Sequence, residues 1–321
     1  MYYPYLHGRQ NELLCLRNLL EKEKLGVMVV PVIEPVRCNN TFFSTIEKFV
    51  EKEHRVIVID NPHVGKFAQE LSELKQEAEL DTNGKKEKIV RILEQYERLM
   101  KSEYIVKGHI IDHNIVEKVL GGKLDVSQTG IINLDNNYLD QYMEYGEKLS
   151  SYLTFIPSDG EFKTYILGEK VLIEDSFKKA RKNADYLNRE DEVFSSNHLS
   201  YLADGYQGFS DYSIAGKDYE ESGFAPLAIA IHVVYFGKNN ILRVHHFVSD
   251  SNNDIFDPAR KFQEAMGKLC SWENLRNVKK TMGLSSLLQC YEERRFPGLG
   301  VIKRYTLMHH LELVSDFLGD E

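Results

Sequence analysis

Apolar runs alternate with helical patterns along most of the chain. Residues 10–23 carry leucines at helical spacing between charged residues, which predicts an amphipathic helix. The run at 27–35 is apolar almost throughout, as in a strand that is buried on both faces of a parallel sheet. The same two patterns then recur. We therefore predict eight β segments, at residues 27–35, 55–62, 104–112, 129–135, 152–159, 170–175, 208–214 and 227–236.

Helical stretches separate most of these segments, and most of the segments end in an acidic residue. This order predicts an α/β fold of the (β/α)8, TIM-barrel-like kind, in which polar strand ends meet at one mouth. An open, doubly wound sheet is the alternative. The tail is helical in pattern and begins with Asp257 and Pro258 as N-cap and first-turn residues. We assign residues 1–256 to a barrel-like α/β domain and 257–321 to a C-terminal helical extension packed on the same domain.

Two further features modify this plan. The last predicted β segment turns back as a strand hairpin, because the asparagine-rich turn at 238–240 tolerates the positive φ that tight turns require. At the other end of the chain, Tyr2, Tyr3 and Tyr5 together with Arg9 indicate a docking segment that plugs the base of the barrel.

Composition limits the classes of protein to which the chain can belong. Of its 321 residues, 42% are hydrophobic and 11% are aromatic, and the formal net charge of −9 argues against a generic nucleic-acid-coating surface. The four cysteines lie far apart without a Cys-x-x-Cys pair, which favours free thiols in a reducing compartment. The sequence shows no secretory pattern and no run of about 18 apolar residues. We therefore expect a cytoplasmic protein that does not enter a membrane.

Acidic residues at the predicted strand ends are the largest set of candidate functional side chains. If the barrel forms, several of them face one another across its mouth, where crowded carboxylates bind a divalent cation or take part in acid–base chemistry. We expect Glu34, Asp60 and Asp211 to hold that cation, Mg²⁺ or Mn²⁺. The competing interpretation is that each acid caps the following helix. The full set is Glu34, Asp60, Asp112, Asp135, Asp159, Asp175 and Asp211.

Histidines interrupt the two β-rich runs of the predicted hairpin. His232 lies in an apolar strand, and His245 and His246 lie in its partner, where alternation sends neighbours to opposite faces. One of that pair can therefore join His232 on the inner face as a ligand or a base. We predict His232 and His246, with Asp211, as catalytic residues. The competing interpretation is a hydrogen-bonded histidine of the core.

Basic residues follow the sixth and seventh predicted strands, near the place where barrels commonly hold a phosphate. We predict that Lys178, Arg181 and Lys217, with Tyr212, bind the substrate, although a solvated helix face explains the first two equally well. The chain contains no Walker loop, Gly-x-Gly-x-x-Gly, Gly-x-Ser-x-Gly or His-Glu-x-x-His motif. These absences disfavour nucleotide-triphosphate, dinucleotide, serine-hydrolase and metalloprotease functions.

Several blocks of the sequence resemble one family. The N-terminal block Tyr-Pro-Tyr-Leu-His-Gly-Arg-Gln-x-Glu at 3–12, followed by Pro-Val-Ile-Glu at 31–34, is similar to the "beta protein" family of phage and bacterial proteins. Blocks at 183–186, 208–212, 228–232 and 246–252 resemble one bacterial branch. The resemblance implies a barrel-like α/β fold and a setting in phage-defence, mobile-element or bacteriocin loci, beside a nuclease-like companion protein. It implies no activity and no catalytic residues.

Two functions fit these observations. The first is a metal-dependent hydrolase of a phosphoester or nucleotide-derived substrate, with the acids, histidines and basic residues in the roles given above. The second is a non-catalytic immunity or regulatory subunit that binds a partner protein. It is motivated by the missing catalytic motifs and by tyrosines in loops that we expect to be exposed, at Tyr201, Tyr206 and Tyr219.

Overall fold

A computed structural model of the chain describes residues 1–80, 86–158, 161–221 and 226–319. Its strands are β1 (Tyr5–Leu6), β2 (Val32–Ile33), β3 (Val56–Ile59), β4 (Ile105–Ile110), β5 (Gly130–Ile132), β6 (Leu153–Pro157), β7 (Lys170–Glu174), β8 (Asp191–Ser195), β9 (Gly208–Asp211), β10 (Ala230–Phe236) and β11 (Leu242–Val248). Its α-helices are α1 (Gln10–Glu21), α2 (Asn40–Glu51), α3 (Phe67–Leu80), α4 (Lys86–Leu99), α5 (His113–Leu120), α6 (Leu139–Tyr145), α7 (Glu161–Tyr165), α8 (Asn197–Ser200), α9 (Pro258–Ser271), α10 (Met282–Glu292) and α11 (Leu299–Gly319).

The chain divides into two compact units that alternate along the sequence. The barrel unit comprises Met1–Leu13, Val27–Glu174 and Tyr201–Asp211, and the sheet–helix unit comprises Leu14–Gly26, Asp175–Ser200 and Tyr212–Glu321. The domain boundary after residue 256 stays a prediction from the sequence. Among the described residues, none of the helices combines the length and the apolar character needed to span a bilayer.

The barrel unit is built on eight parallel strands in the spatial order β1, β2, β3, β4, β5, β6, β7, β9. The N-terminal segment joins the two edges of this sheet, because Tyr2 forms parallel bridges with both Val29 and Phe209. The amide of Tyr3 also donates a hydrogen bond of 2.8 Å to the carbonyl oxygen of Phe209. The result is a mixed α/β unit with a nearly closed, barrel-like parallel sheet, and α2 to α7 lie between its strands in the sequence.

Side chains fill the interior of this sheet. The ring of Tyr3 packs edge-on against Phe155 with centroids 5.4 Å apart. On β4, a Cβ at Gly108 would lie 2.7 Å from Ile59 and 2.9 Å from Ile57, so only glycine fits at this position without displacing a neighbour. The interior is thus a close-packed core, as expected for a small barrel.

Seven of the eight predicted β segments contain strands of the barrel, β2 to β7 and β9. The prediction for the segment at 227–236 was wrong, because its strand, β10, belongs to a separate antiparallel sheet. The eighth barrel strand is β1. It follows Pro4 and has two residues in regular pairing, so it lacks the long apolar run by which the other strands were recognised. Tyr2 and Tyr5 are therefore buried strand-segment residues, and the predicted docking role at the base of the barrel was wrong.

The sheet–helix unit holds three antiparallel strands in the order β10, β11, β8. The predicted hairpin of β10 and β11 is confirmed, and its turn places Asn239 and Asn240 at a positive φ of 57°. One face of the sheet packs on α9 through Phe262, Met266 and Leu269, three core residues that recur at helical spacing. The predicted N-cap is also confirmed, because the Asp257 side chain accepts a hydrogen bond of 3.1 Å from the next turn.

Candidate active site

The hairpin of the sheet–helix unit brings two of the predicted catalytic residues together. His232 on β10 lies opposite His246 on β11, and their Nδ1 atoms are 2.7 Å apart. His245 is paired with Val233 and therefore points to the opposite face, as strand alternation predicts. The sequence-based choice of one inner and one outer histidine is confirmed by this register.

A third residue, which the sequence did not single out, extends the pair into a chain of hydrogen bonds. Glu192 lies on β8 beside β11, and its Oε1 is 3.2 Å from Nε2 of His246. A carboxylate only accepts hydrogen bonds, so we assign the proton of His246 to Nε2. Nδ1 of His246 is then an acceptor for the Nδ1 proton of His232. Nε2 of His232 keeps a lone pair and has no hydrogen-bond partner among the described residues.

Aromatic rings fix the orientation of both imidazoles. Tyr186 lies 4.4 Å from His246 and 4.7 Å from His232 between ring centroids. Phe177 packs edge-on against His232 at 5.1 Å. The hydroxyl of Tyr186 accepts a hydrogen bond of 3.0 Å from the amide of Ala180, which anchors the segment that covers the sheet. These contacts restrict rotation of the rings and reduce their contact with water.

Burial and nearby cations keep the two imidazoles neutral. Burial lowers the pKa of His232 well below its usual range, and His246, Lys303 and Arg189 lower it further. Burial also lowers the pKa of His246, although Glu192 opposes this shift. Arg189 forms an ion pair with Glu192 at 3.4 Å, donates to the carbonyl oxygen of Lys178 and lies over the Tyr186 ring at 5.1 Å. Neutral imidazoles are able to accept a proton, so this arrangement suits a base.

The predicted substrate-binding residues all belong to the sheet–helix unit. Lys178 and Arg181 are exposed, in the segment that also carries Phe177 and Tyr186. Lys217 is exposed as well, and its amide donates a hydrogen bond of 3.1 Å to Asp175. Tyr212 is only 3% exposed, so its side chain lies in the interior and does not form a surface that a substrate can contact.

Asp211, predicted as both a catalytic residue and a metal ligand, lies in the barrel unit and is 3% exposed. Its Oδ1 accepts a hydrogen bond of 2.7 Å from the hydroxyl of Tyr2. The Tyr2 ring stacks on Phe209 at 4.9 Å, so both aromatic rings share the face on which Asp211 lies. Burial, followed by the charge of Asp211, raises the pKa of Tyr2 well above its usual range. In the described geometry Asp211 is a partner of a buried tyrosine.

Glu34 is buried at the end of β2, with 2% of its surface exposed. It accepts a hydrogen bond of 2.7 Å from the hydroxyl of Tyr5 and two more, of 2.7 and 3.2 Å, from the amides of His63 and Val64. These donors occupy both of its oxygens. Its main structural effect is to fix the loop that follows β3.

The three predicted metal ligands do not converge. The pairing register places Glu34 on the inner face of the barrel with Tyr5, whereas Asp211 lies on the outer face with Tyr2. Asp60 follows the inward-facing Ile59 and is turned outward by strand alternation. Across the described ranges, no group of three or more His, Cys, Asp and Glu side chains is arranged to hold a metal ion.

The remaining strand-end acids have local roles in the structure. Asp112 caps α5 by accepting a hydrogen bond of 2.7 Å from Ile115, which is the alternative role considered for these acids. Asp135 accepts hydrogen bonds from Asn137 in a turn. Burial raises the pKa of Asp175, and hydrogen bonds from Lys217 and Phe177 oppose the shift. Asp159 lies outside the described residues.

Comparisons with known proteins give no relative on which a function can rest. No protein-family model, no curated protein and no solved structure matches the chain.

Proposed function

We propose that the protein is an acid–base hydrolase of a phosphoester or nucleotide-derived substrate, in which Nε2 of His232 is the general base. The single observation that carries the proposal is the unbroken hydrogen-bond chain from Glu192 through His246 to His232. In such a chain the carboxylate fixes the tautomer of the middle imidazole, and the terminal imidazole presents a lone pair to the substrate.

The reaction follows from that tautomer. Nε2 of His232 takes a proton from a water molecule as the water oxygen bonds to phosphorus. The bond from phosphorus to the leaving alkoxide breaks, and the imidazolium returns the proton to that alkoxide. While His232 is charged, its Nδ1 proton points at His246 and the Nε2 proton of His246 points at Glu192, so the carboxylate stabilises the transient charge.

The charges around His232 favour an anionic substrate. Burial is the main cause of the lowered pKa of His232, and the positive charges of Lys303 and Arg189 lower it further. A bound phosphate offsets those charges and raises the pKa of the imidazole toward the range in which a base is most effective. Lys178, Arg181 and Lys217 are exposed and supply further positive charge to the same unit.

The divalent cation of the sequence-based mechanism does not fit the carboxylates chosen for it. Glu34, Asp60 and Asp211 point in different directions, and donors already occupy Glu34 and Asp211. The steps proposed here use His232, His246 and Glu192 and are not routed through Mg²⁺ or Mn²⁺.

We also infer that the barrel unit is a TIM-barrel-like fold, supported by its eight parallel strands and by the helices between them. The membership in the "beta protein" family, the defence or competition setting, the cytoplasmic location and the companion protein stay predictions. Tyr201 and Tyr206 are 7% and 5% exposed, so two of the three tyrosines expected to dock a partner are buried. We therefore rank the hydrolase above the partner-binding subunit.

Turnover of bis-p-nitrophenyl phosphate by the His232→Gln variant tests the proposed function. We expect a loss of about 10²- to 10⁴-fold, the usual contribution of a general base. His245→Gln is the matched control, because His245 is adjacent to His246 on β11 but lies on the other face of the sheet. Circular dichroism checks that both variants fold. If folded His232→Gln hydrolyses the phosphodiester as fast as the unmodified protein, His232 is not the base.

The pH profile of kcat/KM provides a second test. The base must be neutral to act, and the pKa of both His232 and His246 is lowered. Activity is therefore kept as the pH falls through about 6.5, where an ordinary histidine gains its proton, and is lost only at lower pH. A profile that falls with a midpoint at or above 6.5 contradicts the assignment.

A further inference from the structure

The mouth of the barrel unit contains a histidine–carboxylate pair, His63 and Asp112, that the proposed function does not use. His63 lies in the loop after β3, and its Nε2 is 3.2 Å from Oδ2 of Asp112, at the end of β4. The ring is 41% exposed, so it is open to solvent and to small molecules. The carboxyl ends of parallel strands in a barrel are also where active sites of this architecture form.

Buried polar contacts hold the loop that carries His63. Its amide and that of Val64 donate to Oε1 of Glu34 at 2.7 and 3.2 Å. The side chain of Asn61 binds both the amide and the carbonyl oxygen of Ile110, at 3.0 and 2.8 Å, and so ties the loop to β4. An imidazole on a loop that is fixed at both of these points keeps one position, as a catalytic group requires.

Asp112 is itself fixed from two sides. Its Oδ1 accepts a hydrogen bond of 2.7 Å from the amide of Ile115, and its Oδ2 accepts one of 3.2 Å from Asn61. Burial opposes ionisation, but the hydrogen bonds from Ile115, His63 and Asn61 outweigh it and lower the pKa of Asp112. The ionised carboxylate accepts a hydrogen bond from the Nε2–H group of His63, so we assign the proton of this imidazole to Nε2. Nδ1 then keeps its lone pair, and it has no hydrogen-bond partner in the part of the chain that the structure describes.

We propose that His63 and Asp112 form a second acid–base centre, which hydrolyses an uncharged ester. Nδ1 of His63 accepts a proton from water while the water oxygen bonds to the acyl carbon. The bond from that carbon to the leaving alkoxide breaks, and the imidazolium gives its proton to the alkoxide. One ester and one water thus give one acid and one alcohol, and the imidazole is restored.

The charges at the mouth favour an uncharged substrate. Asp112 lies beside the imidazole, Asp60 is exposed in the same loop, and Glu34 lies beneath it. These carboxylates outnumber the exposed Lys66, so an anion is disfavoured here. This is the reverse of His232, whose neighbours Arg189 and Lys303 are cations. Attack of water on an acyl carbon requires no neutralisation of a charged substrate.

Multiple-turnover hydrolysis of p-nitrophenyl acetate tests the centre. We expect His63→Gln to lose about 10²-fold or more of the protein-dependent rate, as for a general base. Asp112→Asn should lose activity too, because asparagine caps α5 as well as aspartate does but is a weaker acceptor of the hydrogen bond from Nε2–H of His63. His113→Gln is the matched control, since His113 contacts Glu117 on an exposed helix face.

Each result decides the inference. Loss in His63→Gln and Asp112→Asn, with the rate kept in His113→Gln, supports it. An unchanged rate in folded His63→Gln, or a rate that is lost in His232→Gln but not in His63→Gln, overturns it. The proposed function is tested with a charged phosphodiester and a different histidine, so either proposal can fail while the other stands.

Discussion

Two of the histidine–carboxylate pairs in the described part of the chain, His246–Glu192 and His63–Asp112, lie in opposite surroundings. In the sheet–helix unit the His246 side chain is fully buried, and its carboxylate partner, Glu192, is 15% exposed. In the barrel unit His63 is 41% exposed and its partner Asp112 is 30% exposed. Cations adjoin the first site and carboxylates adjoin the second. An imidazole beside a carboxylate is therefore a common starting point, and the surrounding charge and burial determine which substrate it can take.

The two sites also share a rule of construction. In each, the carboxylate that touches the imidazole is held by a further donor, which is Arg189 for Glu192 and Asn61 for Asp112. The donor fixes the carboxylate, and the carboxylate fixes the proton on the imidazole. Variants that remove the donor, the carboxylate or the imidazole separately can therefore distinguish orientation of the imidazole from proton transfer by it.

The largest expected effect comes from removing the carboxylate of the buried site. In Glu192→Gln the amide can donate to Nε2 of His246, which reverses the proton positions along the chain. We expect phosphodiester turnover to fall by about 10²- to 10⁴-fold, measured by steady-state kinetics. Glu190→Gln is the control, since Glu190 is exposed on the same segment. Equal rates in the two variants would show that Glu192 does not orient His246.

Acid should weaken the sheet–helix unit through its buried histidines. His309 is buried between Thr281 and the carbonyl oxygen of Val234, at 2.7 Å from each, and burial lowers its pKa to about 4. The unfolded chain binds this proton near pH 6.5 and the folded chain does not, so stability is full above 6.5 and is lost as the pH falls toward 4. The loss amounts to about 3 kcal/mol from this group.

Urea unfolding at pH 7.5 and pH 4.5 measures that loss. The variant His309→Gln should be less stable at pH 7.5 but should lose less stability on acidification, because the titrating group is gone. His113→Gln, which removes an exposed histidine, should keep the pH dependence of the unmodified protein. Identical slopes in His309→Gln and the unmodified protein would contradict the role of His309.

Two tyrosines of the barrel unit make equivalent hydrogen bonds to different carboxylates. Tyr2 and Tyr5 each donate a hydrogen bond of 2.7 Å to a buried carboxylate, on Asp211 and Glu34 respectively. Phenylalanine at either position should cost about 1–3 kcal/mol in the free energy of unfolding. Only Tyr5→Phe should also lower p-nitrophenyl acetate turnover, because Glu34 holds the His63 loop. A similar fall in Tyr2→Phe would mean that stability alone controls that rate.

The smallest expected effect concerns the exposed cations. Lys178→Ala and Arg181→Ala should each raise KM for the phosphodiester by about two- to fivefold, the range for solvent-exposed charges. The increase should shrink in high salt, because ions screen such charges. Lys238→Ala is the control, since Lys238 lies exposed in the hairpin turn, away from His232 along β10. An equal rise of KM in all three variants would mean that only the net charge of the protein matters, and not the positions of Lys178 and Arg181.

Local sequence patterns predicted those strands and turns that are defined by their own residue types. The apolar runs that became β2 to β7 and β9 were visible because both faces of those strands are buried. Strand alternation predicted that one of His245 and His246 shares the face of His232, and the register of the hairpin shows that it is His246. The barrel-like sheet and the opposite facing of His245 and His246 could therefore be predicted from the sequence.

Contacts between segments that are distant in the sequence could not be predicted from it. Glu192 lies on β8, a strand with one end exposed and a mixed pattern, and nothing in the sequence pairs it with His246. His63 and Asp112 meet only because β3 and β4 are neighbours in the sheet. Whether Glu34 and Asp211 point into or out of the barrel depends on the strand register across the whole sheet. Their position at the ends of strands does not reveal it.

The backbone hydrogen bond between Tyr3 and Phe209, where the N-terminal segment meets β9, also limits the order in which the chain can fold. The first strand can pair with β2 early during synthesis, but its other edge must wait until about two hundred further residues have left the ribosome. Until then that edge, with its tyrosines, is open to pairing with other chains. Contacts so distant in sequence slow folding, so we expect closure of this sheet to be a slow step in the folding of the barrel unit.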